Sequence, residues 1–116
     1  MKKVLIVDDD PDIAEVVSAL LSRNGFEVST YDTGYRAVEV IKERNPDLVL
    51  LDINLPGKQG TDICRELKQI SNIPPILLFS AHANERNILA ECKADGFVSK
   101  PFDIKQLVDM VSRHAN

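Results

Sequence analysis

Residues Lys3–Ile13 read KVLIVDDDPDI, and how this stretch is read decides the fold. Val4 to Val7 are all branched aliphatics with no polar interruption, the composition of a strand buried on both faces. Asp8, Asp9 and Asp10 stop the run, and Pro11 and Asp12 follow at once. Pro11 suits the first position of a helix and Asp10 its N-cap, so a buried strand hands over directly to a helix. That handover is the opening of a strand–helix–strand unit in a parallel sheet. One cap needs one side chain, which leaves Asp8 and Asp9 without a structural reason to stand together. Adjacent like charges repel, and a hard divalent cation with oxygen ligands is the partner that would gather them.

Outward from this stretch the same alternation recurs. Strands are predicted at KVLIV (3–7), EVSTY (27–31), LVLLD (48–52), ILLFS (76–80) and GFVS (96–99). Helical spacing follows each one. After Pro11, the residues Ile13, Val16, Val17, Leu20 and Leu21 share one face, and Gly25 ends that helix. Further helices are predicted in RAVEVIKER (36–44), TDICRELKQI (61–70), NERNILAECK (84–93) and IKQLVDMVSR (104–113). Strand–helix alternation with right-handed crossovers gives an α/β fold, a doubly wound five-stranded parallel sheet with helices on both faces. LVLL is apolar throughout and belongs at the centre, whereas the polar second strand belongs at an edge. In such sheets functional groups gather beyond the carboxyl ends of the strands. There stand Asp8 and Asp9 after the first strand, Asp52 after the third, Ser80 after the fourth and Lys100 after the fifth.

Composition narrows the function classes. With 116 residues the chain is predicted to form one domain over 1–116. It carries 44% hydrophobic and 28% charged residues, and its apolar runs fall far short of the ~20 residues of a membrane span. The basic, then apolar, amino terminus is too short in its apolar part for a signal peptide, so a cytoplasmic location without membrane contact is expected. A net charge of −4 argues against direct nucleic-acid binding by this domain. Cys64 and Cys92 lie in helical stretches with no second ligand in reach along the sequence, and are read as ordinary thiols. Three carboxylates with a lysine ammonium beside them would suit a cation and a phosphate dianion, with a solvated turn as the other reading of Lys100–Pro101 and a structural hydroxyl as that of Ser80.

The segments VLIVDDDP, DLVLLDINLPGKQG, ILLFSA and FVSKPF, in that order and separation, carry a resemblance that covers essentially the whole chain. It resembles a response-regulator receiver domain of two-component signalling and is similar to the single-domain chemotaxis regulator. The resemblance implies a flavodoxin-like (βα)5 fold with strand order 2-1-3-4-5. It implies that Asp52 accepts a phosphoryl group from a sensor histidine kinase or histidine phosphotransfer protein. It assigns Mg2+ to Asp9, Asp52 and the backbone carbonyl of Asn54, with Asp8 acting mainly through water. Lys100 would contact the phosphoryl oxygens, Ser80 would be the switch hydroxyl and Phe97 the aromatic that swings inward with it. Asn54 and His82 would tune dephosphorylation, and the bond before Pro101 would be cis. The reader of the switch would be a downstream protein target, a separate output domain or a second copy of the chain. It would dock on the face made by the fourth helix, the fifth strand and the last helix. The chain is a phosphoacceptor by this reading, assisting its own phosphorylation and dephosphorylation rather than turning over a substrate as an enzyme. Stand-alone action is the expectation, with an output domain elsewhere as the other case.

Some residues depart from the family pattern. Lys93 stands where glycine is usual, which leaves the geometry of that turn open, and Gly96 falls just after it. Phe97 stands where tyrosine is commoner, and a plain core aromatic is its other reading. Three other functions compete. An aspartate-nucleophile phosphatase of the haloacid-dehalogenase type needs a second acid two residues after the nucleophile, where this chain has Asn54. A flavodoxin would meet its phosphate with hydroxyls rather than acids. A degenerate receiver would lack some of Asp9, Asp52, Ser80 and Lys100, all of which are present.

Overall fold

The five strands of the computed structural model are β1 (Lys3–Val7), β2 (Glu27–Tyr31), β3 (Leu48–Asp52), β4 (Ile76–Ser80) and β5 (Gly96–Ser99), each with its predicted bounds. The structure describes residues 2–80 and 92–115, without the side chain of Ser80. Every pairing is parallel and the order is β2-β1-β3-β4-β5, as the family resemblance implies. Among the described residues the helices are α1 (Pro11–Arg23), α2 (Ala37–Arg44), α3 (Gly60–Leu67) and α4 (Ile104–His114). Residues 84–91 of the helix predicted over 84–93 lie outside the described residues. No helix among the described residues is long and apolar enough to cross a membrane.

Alternate strand residues feed two cores, because successive side chains of a strand point to opposite faces. On one face Leu5, Val7, Val49, Leu51 and Leu78 pack with Ile41 of α2 and with Ile63 and Leu67 of α3. On the other, Ile6, Leu50, Leu77 and Phe79 pack with Val17 and Leu21 of α1 and Leu107 and Val111 of α4. The central strand β3 is buried along its whole length, and that length includes the carboxylate of Asp52. β2 lies at the edge and stays largely exposed. Asp10 caps α1 by accepting the amide N–H groups of Asp12 and Ile13 at 2.9 and 3.3 Å. Asp103 caps α4 in the same way.

Helix bounds differ from the periodicity where turns intervene. Arg36 is left-handed, with φ of 59°, so α2 starts one residue late. α3 starts at Gly60 and ends at Leu67, where the amide N–H groups of Gln69 and Ile70 turn back to the carbonyls of Glu66 and Leu67 in tighter turns. Lys93 adopts φ of 58°, so the turn keeps the left-handed conformation that glycine would take without strain. Gly96 lies in β5, where an added Cβ would meet Leu77 at 2.8 Å and Met110 at 2.9 Å. Its absence of side chain lets α4 sit close against the sheet.

Candidate functional site

Asp52 ends β3 and is paired across the sheet with Phe79 of β4. Ile6 of β1 is paired with Leu50, so Asp8, two residues on, faces the same side as Asp52. The amide N–H of Asp8 donates to the carbonyl of Tyr31 at 3.0 Å, extending the ladder beyond β1 and fixing that direction. Asp8 and Asp52 are 2% and 5% exposed, whereas Asp9 stands open at the rim. Carboxylate oxygens of Asp8, Asp9 and Asp52 lie within 4.8 Å of one another. Lys100, just past β5, reaches back so that Nζ donates to Asp8 Oδ2 at 3.1 Å and Asp52 Oδ2 at 3.4 Å. The amide N–H of Asn54 donates to Asp52 Oδ1 at 3.3 Å, and that of Asp10 to Asp8 Oδ1 at 2.9 Å.

The charges do not balance. Burial holds the Asp52 carboxyl above its ordinary value of 3.8, and the negative charge of Asp8 raises it further. Lys100 and the Asn54 amide N–H pull the other way without cancelling the rise. One ammonium is thus set against three carboxylates. The donor set is all hard oxygen with an open side at Asp9, which fits a small divalent cation. The triple aspartate therefore divides as its sequence suggests, with Asp10 on the helix and Asp8 and Asp9 at the cluster.

The loops at this end are clamped by glycines that the sequence reading did not single out. An added Cβ on Gly60 would sit 2.0 Å from the Asp52 carbonyl oxygen, so α3 can begin against the end of β3 only without a side chain there. At Gly34 it would sit 1.9 Å from the Lys58 carbonyl oxygen. Beside Gly34, Thr33 Oγ1 and the Gly34 amide N–H both donate to the Pro56 carbonyl, at 3.0 and 2.8 Å. The loop after β2 thereby holds the loop that follows Asp52. Glycines in PGKQG and DTGY were the available signal, but their partners are distant in sequence.

The other named residues are placed as follows. Ser80 ends β4 in register with Ser99, and its side chain and the whole of His82 lie outside the described residues. The Lys100–Pro101 bond is cis. Phe97 pairs with Leu78 and is 7% exposed in the core on the sheet face opposite Asp52. The cysteines are buried thiols outside any disulfide, in line with their reading as ordinary thiols. The sequence placed no partner near either, yet Cys64 Sγ donates to the Cys92 carbonyl at 3.4 Å, because α3 and the turn before β5 meet on the same sheet face. Burial and the neighbouring Cys92 push the Cys64 thiol up to about 12.

Comparison with known proteins agrees with this geometry. The family model for the response regulator receiver domain matches residues 4–112. The DNA-binding response regulator MtrA of Mycolicibacterium smegmatis is 40% identical over 111 residues, covering 95% of this chain and 49% of that protein. The chain thus spans about half the length of the curated relatives it matches. The BeF3-activated N-terminal receiver domain of Klebsiella pneumoniae RstA superposes with a TM-score of 0.91 at 33% identity, covering 99% of each chain. The response regulator TrrA of Thermotoga maritima, solved in complex with Mg2+ and BeF, superposes with a TM-score of 0.88 at 34% identity, covering 97% of this chain and 98% of that one.

Proposed function

The chain belongs to the response regulator receiver domain family, and on that premise we propose that Asp52 is its phosphoryl acceptor and that phosphorylation switches a docking face. Receiver domains are phosphoacceptor switches rather than turnover enzymes, and their partners are sensor kinases and output targets. The observation that carries the reading is the Asp52 carboxylate, buried at the end of the central strand between Asp8 and Lys100.

An Asp52 oxygen attacks the phosphorus of a phosphohistidine on a sensor kinase or histidine phosphotransfer protein. The P–N bond breaks and its electron pair leaves with the imidazole. Such transfers gain most from positioning and from neutralising charge on the transferred oxygens. Lys100 is within reach to take one share of that charge. Asp9, Asp52 and the Asn54 carbonyl would hold Mg2+, with Asp8 beside them acting mainly through water, and the ion would neutralise the rest of that charge. Asn54, exposed beside Asp52, and His82 set how readily water reaches the acyl phosphate. Ser80 reads the new charge by hydrogen bonding to it. Phe97 carries the change to the face formed by β5, α4 and the residues preceding β5, where a protein target, an output domain or a second copy of the chain docks.

Labelled acetyl phosphate with Mg2+ tests this reading. Label that is incorporated and then released by hydroxylamine, the mark of an acyl phosphate, is the expected result. No incorporation with Mg2+ in excess would overturn it.

A further inference from the structure

The contact that fixes Lys100 is not made by the carboxylates alone. Its Nζ lies over the ring of Phe79, 4.5 Å from the centroid. Phe79 is fully buried, and it is the residue paired with Asp52 across β3 and β4. Paired residues of neighbouring strands project side by side from one face, so the ring stands next to the Asp52 carboxylate and under the lysine. The Lys100 side chain is 15% exposed. Its hydrogen bonds to Asp8 and Asp52, at 3.1 and 3.4 Å, are long for a charge-assisted pair.

We propose that Phe79 is a positioning residue for Lys100, its ring face holding the ammonium beside the acceptor oxygen of Asp52. A lysine headgroup is a compact charge on a flexible stem, and two long bonds on one side set its direction but not its height. The negative face of an aromatic ring attracts a cation, and more so where the cation is largely removed from water, as this mostly buried side chain is. An aliphatic side chain in β4 would fill the same volume without holding the charge. The consequence for phosphoryl transfer rests on the reading of Asp52 as acceptor, whereas the contact itself can be measured without it.

The test uses the wild-type chain, Phe79→Leu and, as a second replacement of similar bulk, Phe79→Met. Each is also made in a Lys100→Met background. In wild type the Lys100 methylene protons next to the ammonium resonate upfield of those of the other lysines, through the ring current, and in the single variants they return to the ordinary position. Phosphorylation by acetyl phosphate at saturating Mg2+ falls about 3- to 30-fold in the single variants, the span that a cation–π contact allows. In the Lys100→Met background the same replacements leave the residual rate unchanged. An ordinary Lys100 shift in wild type, or an equal loss of rate in both backgrounds, would overturn the proposal and leave Phe79 as packing. A wild-type chain that takes no phosphoryl group would overturn the acceptor reading instead, with the Lys100 shift still deciding the contact.

Discussion

Among single residues, Asp52 sets stability against the function proposed for it. Its proton is held more tightly in the folded chain than in the unfolded one, because burial and Asp8 disfavour the ionised form. Stability from this group is therefore fullest below pH 3.8 and is lost as the pH rises through its raised folded value. Asp52→Asn removes the charge, so without divalent cations it is expected to melt above wild type at pH 7, with the gap narrowing as the pH is lowered toward 3.8. A wild-type chain equally stable to its variant across that range would show that Lys100 fully compensates the charge. The neighbouring aspartates separate by the same logic. Asp9→Ala is expected to lose Mg2+-dependent stabilisation, while Asp10→Ala keeps it and loses about 0.5–2 kcal/mol of helix-cap stability. Calorimetry with and without Mg2+ distinguishes the two, and equal losses would mean that the run is divided differently. Asp8, Asp9, Asp52 and Lys100 were legible in the sequence because each ends or follows a strand, and strand ends share one rim. Phe79 was not, since an apolar residue inside ILLFS reads as core, and only the fold brings the Lys100 ammonium over its ring.

At the scale of elements, the strands were legible to the residue and the helices less so. A run such as LVLLD is bounded by abrupt changes in polarity, and these fix its ends. Helix ends are set by caps and turns. Asp10 and Asp103 announce theirs, but the left-handed Arg36 before α2 and the tightened turns after α3 leave little trace in periodicity. Lys93 shows the limit in the other direction, since its φ of 58° follows from the path between Cys92 and β5 and not from its own preference. The glycine contacts were hidden for the same reason, being close approaches between segments remote in sequence. Gly60→Ala is expected to push α3 away from the Asp52 carbonyl, lowering stability and slowing phosphorylation together. Chemical denaturation and a phosphorylation time course check it. A variant with wild-type values in both would mean that α3 can start elsewhere without moving Asp52.

Across the whole molecule, a phosphoryl group adds roughly −1.5 to −2 charge at one rim of the sheet, while partners read a face. Moving a two-state equilibrium from mostly one state to mostly the other takes about 5.5 kcal/mol of differential binding, more than a single side-chain rotation supplies. Phe97 is buried on the sheet face opposite Asp52, paired with Leu78, so on the proposed reading its part in the switch would be one of several linked shifts through β4 and β5. Phe97→Leu, which keeps most of the buried volume, is expected to accept phosphate at the wild-type rate yet lose phosphorylation-dependent association through that face. Arg23→Ala, at the far end of α1, is expected to change neither. Titration calorimetry or sedimentation of the phosphorylated proteins checks both, and undiminished association of Phe97→Leu would leave Phe97 as core packing. On the proposed reading all of these steps begin with one covalent event. Intact mass after incubation with acetyl phosphate and Mg2+ tests it directly: wild type gains one phosphoryl group and Asp52→Asn gains none, whereas an equal gain in the variant would place the acceptor elsewhere.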